Sequence, residues 1–142
     1  MISSLGIETC SCSGIKGLEI TRLMKALVCS SLSDDFTGIR LEEVDLPDPS
    51  YGEVRIRIRA TSLNFPDILL CQGKYQLKLE PPFTPGMDIA GEIDLIGEGV
   101  EDFAVGEAVV GGLRFGGFAE YAVVSTGGLQ KKPSHLSFAE AA

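Results

Sequence analysis

Histidine occurs once in this 142-residue sequence, at His135 near the C-terminal end. A catalytic zinc needs three Cys, His or carboxylate ligands converging from a rigid frame. The cysteines do not make up the shortfall: Cys10 and Cys12 form a C-x-C pair with no second pair to complete a tetrahedral set, and Cys29 and Cys71 stand far apart. The sequence therefore predicts neither a catalytic nor a structural zinc. No secretory signal precedes the four cysteines, so they are read as reduced thiols in a cytoplasmic compartment. Positive charge is also scarce, with 12 Lys and Arg against 20 Asp and Glu, a net charge of −8 and a pI near 4.6. Nucleic acid and anionic membrane both require a basic face, and neither is expected as a partner. Apolar runs are strand-sized, well short of the ~18 to 20 residues that cross a bilayer, so no membrane span is predicted. There is no Gly-x-Ser-x-Gly elbow to expose a nucleophilic serine. The Gly97-Glu98-Gly99 sequence lacks the third glycine of a dinucleotide loop. It is followed by Val-Glu-Asp-Phe where a phosphate-binding helix should begin, and Glu98, Glu101 and Asp102 would repel a pyrophosphate; it reads as a turn.

What is present is the material of one globular domain. Hydrophobic residues make up 44% and charged residues 23%, an ordinary soluble balance at a length that suits one domain with extensions. Residues 1–23 mix residue types without period, hold one Arg, one Lys and two Glu, and read as a loose extension rather than a transit peptide. Residues 24–136 form the predicted folded domain, and 137–142, with a polar start and alanines, read as the beginning of a helix. Strands are predicted at 25–30, 38–44, 54–60, 89–96, 107–110 and 118–124, with a turn at 47–52. In Val54 to Ala60 the apolar residues alternate with Arg55, Arg57 and Arg59, which are expected to be three solvated arginines on the outer face. Asn64 to Gly73 suits a short helix with Pro66 in its first turn and Gly73 at its end. The Pro-rich stretch from Glu80 to Gly86 excludes regular helix and central strand. Short strands punctuated by glycine give a mainly β fold, a closed or partly open barrel with short helices.

Polar residues that could carry chemistry gather in one otherwise apolar segment: Ser62, Asn64, Asp67 and Tyr75. Such groups can orient a ligand without supplying a strong base. Asn64 and Asp67 equally suit the cap of the short helix, and residue patterns leave both readings open.

The order of motifs adds to this. Ala60-Thr-Ser-Leu-Asn64-Phe-Pro-Asp67 is followed by Gln72-Gly-Lys-Tyr75, by Pro81-Pro-Phe-Thr-Pro-Gly86-Met-Asp-Ile-Ala-Gly91, by Phe103-Ala-Val-Gly106-Glu-Ala-Val109 and by Gly117-Phe-Ala-Glu-Tyr121. From Met24 onward the sequence resembles the zinc-free, quinone oxidoreductase (zeta-crystallin-like) branch of the medium-chain dehydrogenase/reductase family. The resemblance implies an N-terminal GroES-like barrel, with the Rossmann domain that follows it in the family absent from this chain. It implies hydride transfer from NADPH to a quinone or an α,β-unsaturated carbonyl without zinc, because Asn64 stands where the zinc branch carries Cys. Gly86-Met87-Asp88 likewise stands where that branch has Gly-His-Glu, and Asp88 replaces a more usual glutamate. By resemblance, Asn64 and Asp67 are the catalytic candidates, with Asp67 supporting the loop, and Asn64 and Tyr75 are the cofactor-binding candidates. A homodimer is implied for a full-length form. The chain alone is expected to be inactive. The competing expectation is a catalytically silent GroES-like barrel that serves as an interaction or oligomerisation module, since fold does not fix function.

Overall fold

A computed structural model describes residues 22–142. The predicted extension therefore lies outside the described residues except at its end, where Leu23 already opens the first strand. Strands β1 (Leu23–Cys29) and β2 (Ile39–Asp45) pair antiparallel as a two-stranded sheet. The main sheet has five strands, β3 (Glu53–Ser62), β4 (Asp88–Ile96), β5 (Ala108–Gly112), β6 (Tyr121–Ser125) and β7 (Leu129–Lys131), in the order β6-β3-β4-β5-β7. Helix α1 (Phe65–Cys71) joins β3 to β4, and α2 (Phe138–Ala141) ends the chain behind an N-cap at Ser137. The fold is thus mainly β, and its barrel is partly open. A bridge between Ala26 and Ala119 ties β1 to the segment leading into β6, and one between Cys29 and Phe83 ties it to the Pro-rich crossing, without closing the sheets. Among the described residues, β2 pairs only with β1, and its other edge carries the exposed Leu41, Glu42 and Glu43.

The core follows from strand alternation. Val54 and Ile56 of β3, Ile89 and Ile93 of β4, Val109 of β5, Ala122 and Val124 of β6 and Leu129 of β7 form one buried cluster, with Ile58 packed against it. The β3–β4 register shifts twice, between Arg55 and Ile56 and between Ile58 and Ala60. Such irregularities bend a strand and increase its twist, and here they curl the sheet. Gly91 sits at the second shift, where a Cβ would lie 2.3 Å from the Arg57 carbonyl oxygen, so the two strands can approach this closely only over glycine. A second cluster, Cys29, Leu70, Cys71 and Phe83, packs α1 against β1 and the Pro-rich crossing.

Arg55 overturns the expectation of three solvated arginines. It is buried, and Nε donates to Asp94 Oδ2 at 2.7 Å while Nη1 donates to Asp48 Oδ1 at 2.7 Å and to the Pro47 carbonyl at 3.0 Å. Its guanidinium also lies 5.8 Å from the Tyr121 ring centroid, within cation–π range. Val54 and Ile56 face the core, and Arg55 is buried on the other face of β3, covered by the Pro47–Asp48 segment and by Asp94, the residue left unpaired in β4 where the register shifts. Arg57 and Arg59 do face solvent, with Arg59 paired to Glu92 at 2.7 Å, an exposed pair of little energetic weight.

Candidate functional site

Where β3 ends at Ser62 the chain turns through Leu63 and Asn64 into α1. Asn64 has the extended backbone of an N-cap, φ −113° and ψ 160°, and Pro66 pre-sets the first helical turn. The carboxylate of Asp67 completes the cap: Oδ2 accepts from the Asn64 N–H at 2.8 Å, and Oδ1 accepts from the Gly86 N–H at 3.1 Å. Asp67 is 1% exposed, so its charge is sheltered and both its oxygens are satisfied by main-chain donors. It thereby clips the start of α1 to the loop leading into β4. Gly86 permits this at φ +103°, where a Cβ would also meet the Phe118 nitrogen at 2.6 Å.

The clip brings the ends of β3 and β4 together with Asn64 between them. The Asn64 side chain folds back over the helix start, closing its half of a capping box loosely, since the Asp67 N–H bonds the Asn64 main-chain carbonyl at 3.0 Å. The Nδ2 group donates to Asp88 Oδ2 at 2.6 Å and to Ser62 Oγ at 3.1 Å. Asp88 faces Ser62 across the ladder, and its main-chain carbonyl accepts from Thr61 Oγ1 at 2.7 Å. Asn64 thus stands at the N-cap of α1 and is also one half of an amide–carboxylate pair with Asp88.

This pair borders a cleft of about 620 Å³ lined by Asn64, Phe65, Pro66, Met87, Asp88, Gly112 and Leu113. Asp88 and Gly112, register partners on β4 and β5, also line a neighbouring hollow of about 410 Å³ that reaches Gln130 and α2. Asp88 is the one charged side chain lining either space. The opposite flank of α1, through Ile68 and Cys71, lines an apolar cavity of about 440 Å³ with Leu27, Phe36 and Phe118. The Cys71 thiol there is pushed up to about 12, first by burial and then by neighbouring Cys29, and so remains a protonated, unreactive group at neutral pH.

Tyr75 is placed elsewhere. It is half-buried against the Cys29, Leu70, Cys71 and Phe83 cluster, and its N–H bonds the Leu69 carbonyl at 3.1 Å. Asn64 precedes α1 and Tyr75 follows it, separated by a seven-residue helix of about 10 Å, and Tyr75 is not among the residues lining the cleft at Asn64. The structure therefore brings Asn64 and Asp67 together and leaves Tyr75 apart. Asp88 is the residue that sequence reasoning passed over as a retained acid. The signal that would have found it is its pairing with Ser62 across β3 and β4, which a single sequence does not reveal. His135 is exposed, and among the described residues no three His, Cys, Asp or Glu side chains cluster in a way that could hold a metal ion.

Comparison with known proteins agrees with this architecture. Residues 50–134 match the model of the alcohol dehydrogenase GroES-like domain. A quinone oxidoreductase-like protein 2 homolog of Nematostella vectensis is 44% identical over 119 residues, covering 83% of this chain and 32% of its own length. A zinc-type alcohol dehydrogenase-like protein of Schizosaccharomyces pombe is 36% identical over 129 residues, covering 75% of this chain and 37% of its own. Among solved structures, the quinone oxidoreductase of Thermus thermophilus, determined also in complex with NADPH, superposes with a TM-score of 0.64 at 38% identity, covering 83% of this chain and 35% of that one. The chain spans about a third of the length of these relatives. With its fold and matched segment in agreement, the chain belongs to the alcohol dehydrogenase GroES-like domain family, in the quinone oxidoreductase-like branch of the medium-chain dehydrogenases/reductases.

Proposed function

We propose that this chain forms the substrate-side wall of an NADPH-dependent reductase of quinones or α,β-unsaturated carbonyls. The observation that carries the reading is the Asn64–Asp88–Ser62 hydrogen-bonded set at the edge of a cleft otherwise lined by Phe65, Pro66, Met87 and Leu113. An apolar slot with a few fixed polar groups suits a flat, weakly polar acceptor. NADPH, when bound, supplies the hydride. The residues of this chain orient and exclude water: Asn64 and Asp88 fix the polar edge, Asp67 holds both by clamping the turn, and the apolar walls keep the space dry. Tyr75 supports the far end of α1, with its phenol as a candidate cofactor contact.

The cofactor's phosphates need a strand, glycine loop and helix in succession, and none of the described elements follows that order. Its nicotinamide end suits the Asn64 cleft and its phosphates do not suit this chain, so they are assigned to a separate dinucleotide-binding domain. The test is quinone-dependent NADPH oxidation by a polypeptide that joins this chain to such a domain, with the chain alone as the comparison. Turnover is expected from the joined protein only. Turnover by the chain alone would refute the assignment of the phosphates to another domain, and a joined protein that binds NADPH but reduces no quinone or enone would refute the reductase reading.

Asn64 and Met87 occupy positions where the zinc branch carries ligands, and neither side chain replaces thiolate or imidazole as a zinc donor. Reaction without zinc is therefore part of the proposal. Purified protein is expected to contain far less than one zinc per chain and to melt at the same temperature with and without chelator. One tightly held zinc whose removal lowers the melting temperature would reverse this reading.

A further inference from the structure

We propose that Asp88 is the group of the cleft that contacts the nicotinamide and that Asn64 is its positioning residue, so that this part of the site presents a fixed anionic acceptor and selects neutral or cationic rings that carry a hydrogen-bond donor. The inference rests on the reading of this cleft as the nicotinamide and substrate site, and deepens it by assigning the polarity of that site.

Hydrogen-bonding capacity is unevenly left over in the two residues. An asparagine amide offers two donors and one acceptor. Here both donors are spent, on Asp88 Oδ2 at 2.6 Å and Ser62 Oγ at 3.1 Å, and the amide is folded back over the start of α1. What Asn64 leaves for a ligand is its carbonyl oxygen, so it has no donor to offer. In Asp88 one oxygen is held by Asn64, the main-chain carbonyl is held by Thr61, and the side chain is exposed to the cleft. The other oxygen, Oδ1, lies beside Gly112, 3.9 Å from where a Cβ on that glycine would stand, and accepts no hydrogen bond among the described residues. Asp88 and Gly112 are the two residues shared by both hollows.

A carboxylate pinned on one side by a charge-assisted bond is a directional acceptor on the other. Its charge repels carboxylate- or sulfonate-bearing ligands and favours a carboxamide N–H, a hydroxyl or a cationic ring. A nicotinamide ring is neutral before it gives up hydride and positively charged afterward, so an anion at this edge favours the hydride-donating direction.

Asn64 is the only asparagine in the chain, which permits a direct test on the 142-residue chain itself. With ¹⁵N supplied only at asparagine, the spectrum shows one backbone amide, bonded to Asp67, and one side-chain amide, bonded to Asp88. Asp88→Asn should move the side-chain signals and leave the backbone signal in place, the latter reporting that the helix cap is intact. The probes are 1-methylnicotinamide, a cation with a carboxamide donor, and nicotinate, an anion without one. The cation should shift the Asn64 side-chain signals saturably, with at least a tenfold weaker dissociation constant in Asp88→Asn, and nicotinate should bind at least tenfold more weakly than the cation. Equal binding of both probes, equal binding by both proteins, or no response to the cation in the folded chain would overturn the assignment of Asp88. Failure of the reductase reading shows up separately, as absence of quinone turnover in the joined protein.

Discussion

Ile56→Ala is expected to destabilise the domain by about 2 to 5 kcal/mol, the cost of opening a cavity at a fully packed aliphatic site. Ile56 is 0% exposed and lies at the centre of the main cluster, where β3 is flanked by β4 on one side and β6 on the other. Neighbouring Val54, Ile93 and Val124 are held in the β3–β4 and β3–β6 ladders and cannot collapse far into the void. At roughly 3 to 5 °C per kcal/mol for a domain of this size, the melting temperature should fall by about 10 °C. Ile58 is half-buried at the margin of the same cluster, and its alanine variant should lose less. Thermal unfolding of both variants checks this, and an Ile56→Ala protein that melts with the wild type would mean that the inner face of β3 is wrongly assigned.

Asn64→Ala in the joined, NADPH-binding protein should lower kcat/KM for quinone reduction about 10²-fold, the scale of loss that follows small misplacement of an orienting group. The same change removes a helix cap, worth about 1 kcal/mol, so alanine alone does not separate the two roles of this residue. Asn64→Ser does. Serine caps as well as asparagine but lacks the Nδ2 donor that reaches Asp88. It is expected to melt near the wild type and still lose most of the turnover. If Asn64→Ser restored turnover along with stability, Asn64 would be a cap and nothing more. Tyr75→Phe belongs in the same series: its ring packing survives, so loss of turnover would report on the phenol, and unchanged turnover would leave Tyr75 a packing residue.

The sequence carried the fold well where local pattern decides the outcome. The alternation of Val54 to Ala60 marked β3, Pro66 and Gly73 bracketed α1, and the Gly97-Glu98-Gly99 turn was separable from a phosphate loop by its acids. Glycine punctuation likewise located β4, β5 and β6. It failed where the outcome depends on pairing. Arg55 looks identical to Arg57 and Arg59 in the sequence, and what buries it is the Pro47–Asp48 segment together with Asp94, the residue left unpaired in β4 by the register shift. Strand β7, three residues long, lacks an alternating pattern and exists through its ladder with β5. The site shows the same division. Asn64 and Asp67 were visible as polar residues in an apolar segment, whereas Asp88 joins Asn64 from 24 positions away, brought there by its pairing with Ser62 across the ladder. The residues on either side of Asn64, Leu63 and Phe65, are both exposed apolar side chains.

Among the described residues one edge of β2 is unpaired, and this bears on how the chain behaves at high concentration. A free strand edge is a template for adding a second copy, and proteins commonly guard such edges with like charges. Glu42, Glu43 and Asp45 serve that purpose here, since two copies meeting along this edge would bring six carboxylates together around the exposed Leu41. The guard is electrostatic and therefore depends on ionic strength: with a screening length of about 10 Å at 0.1 M salt and about 3 Å at 1 M, it is strong in dilute buffer and weak in concentrated salt. Salting-out is accordingly the step at which this chain is most exposed to strand-to-strand aggregation.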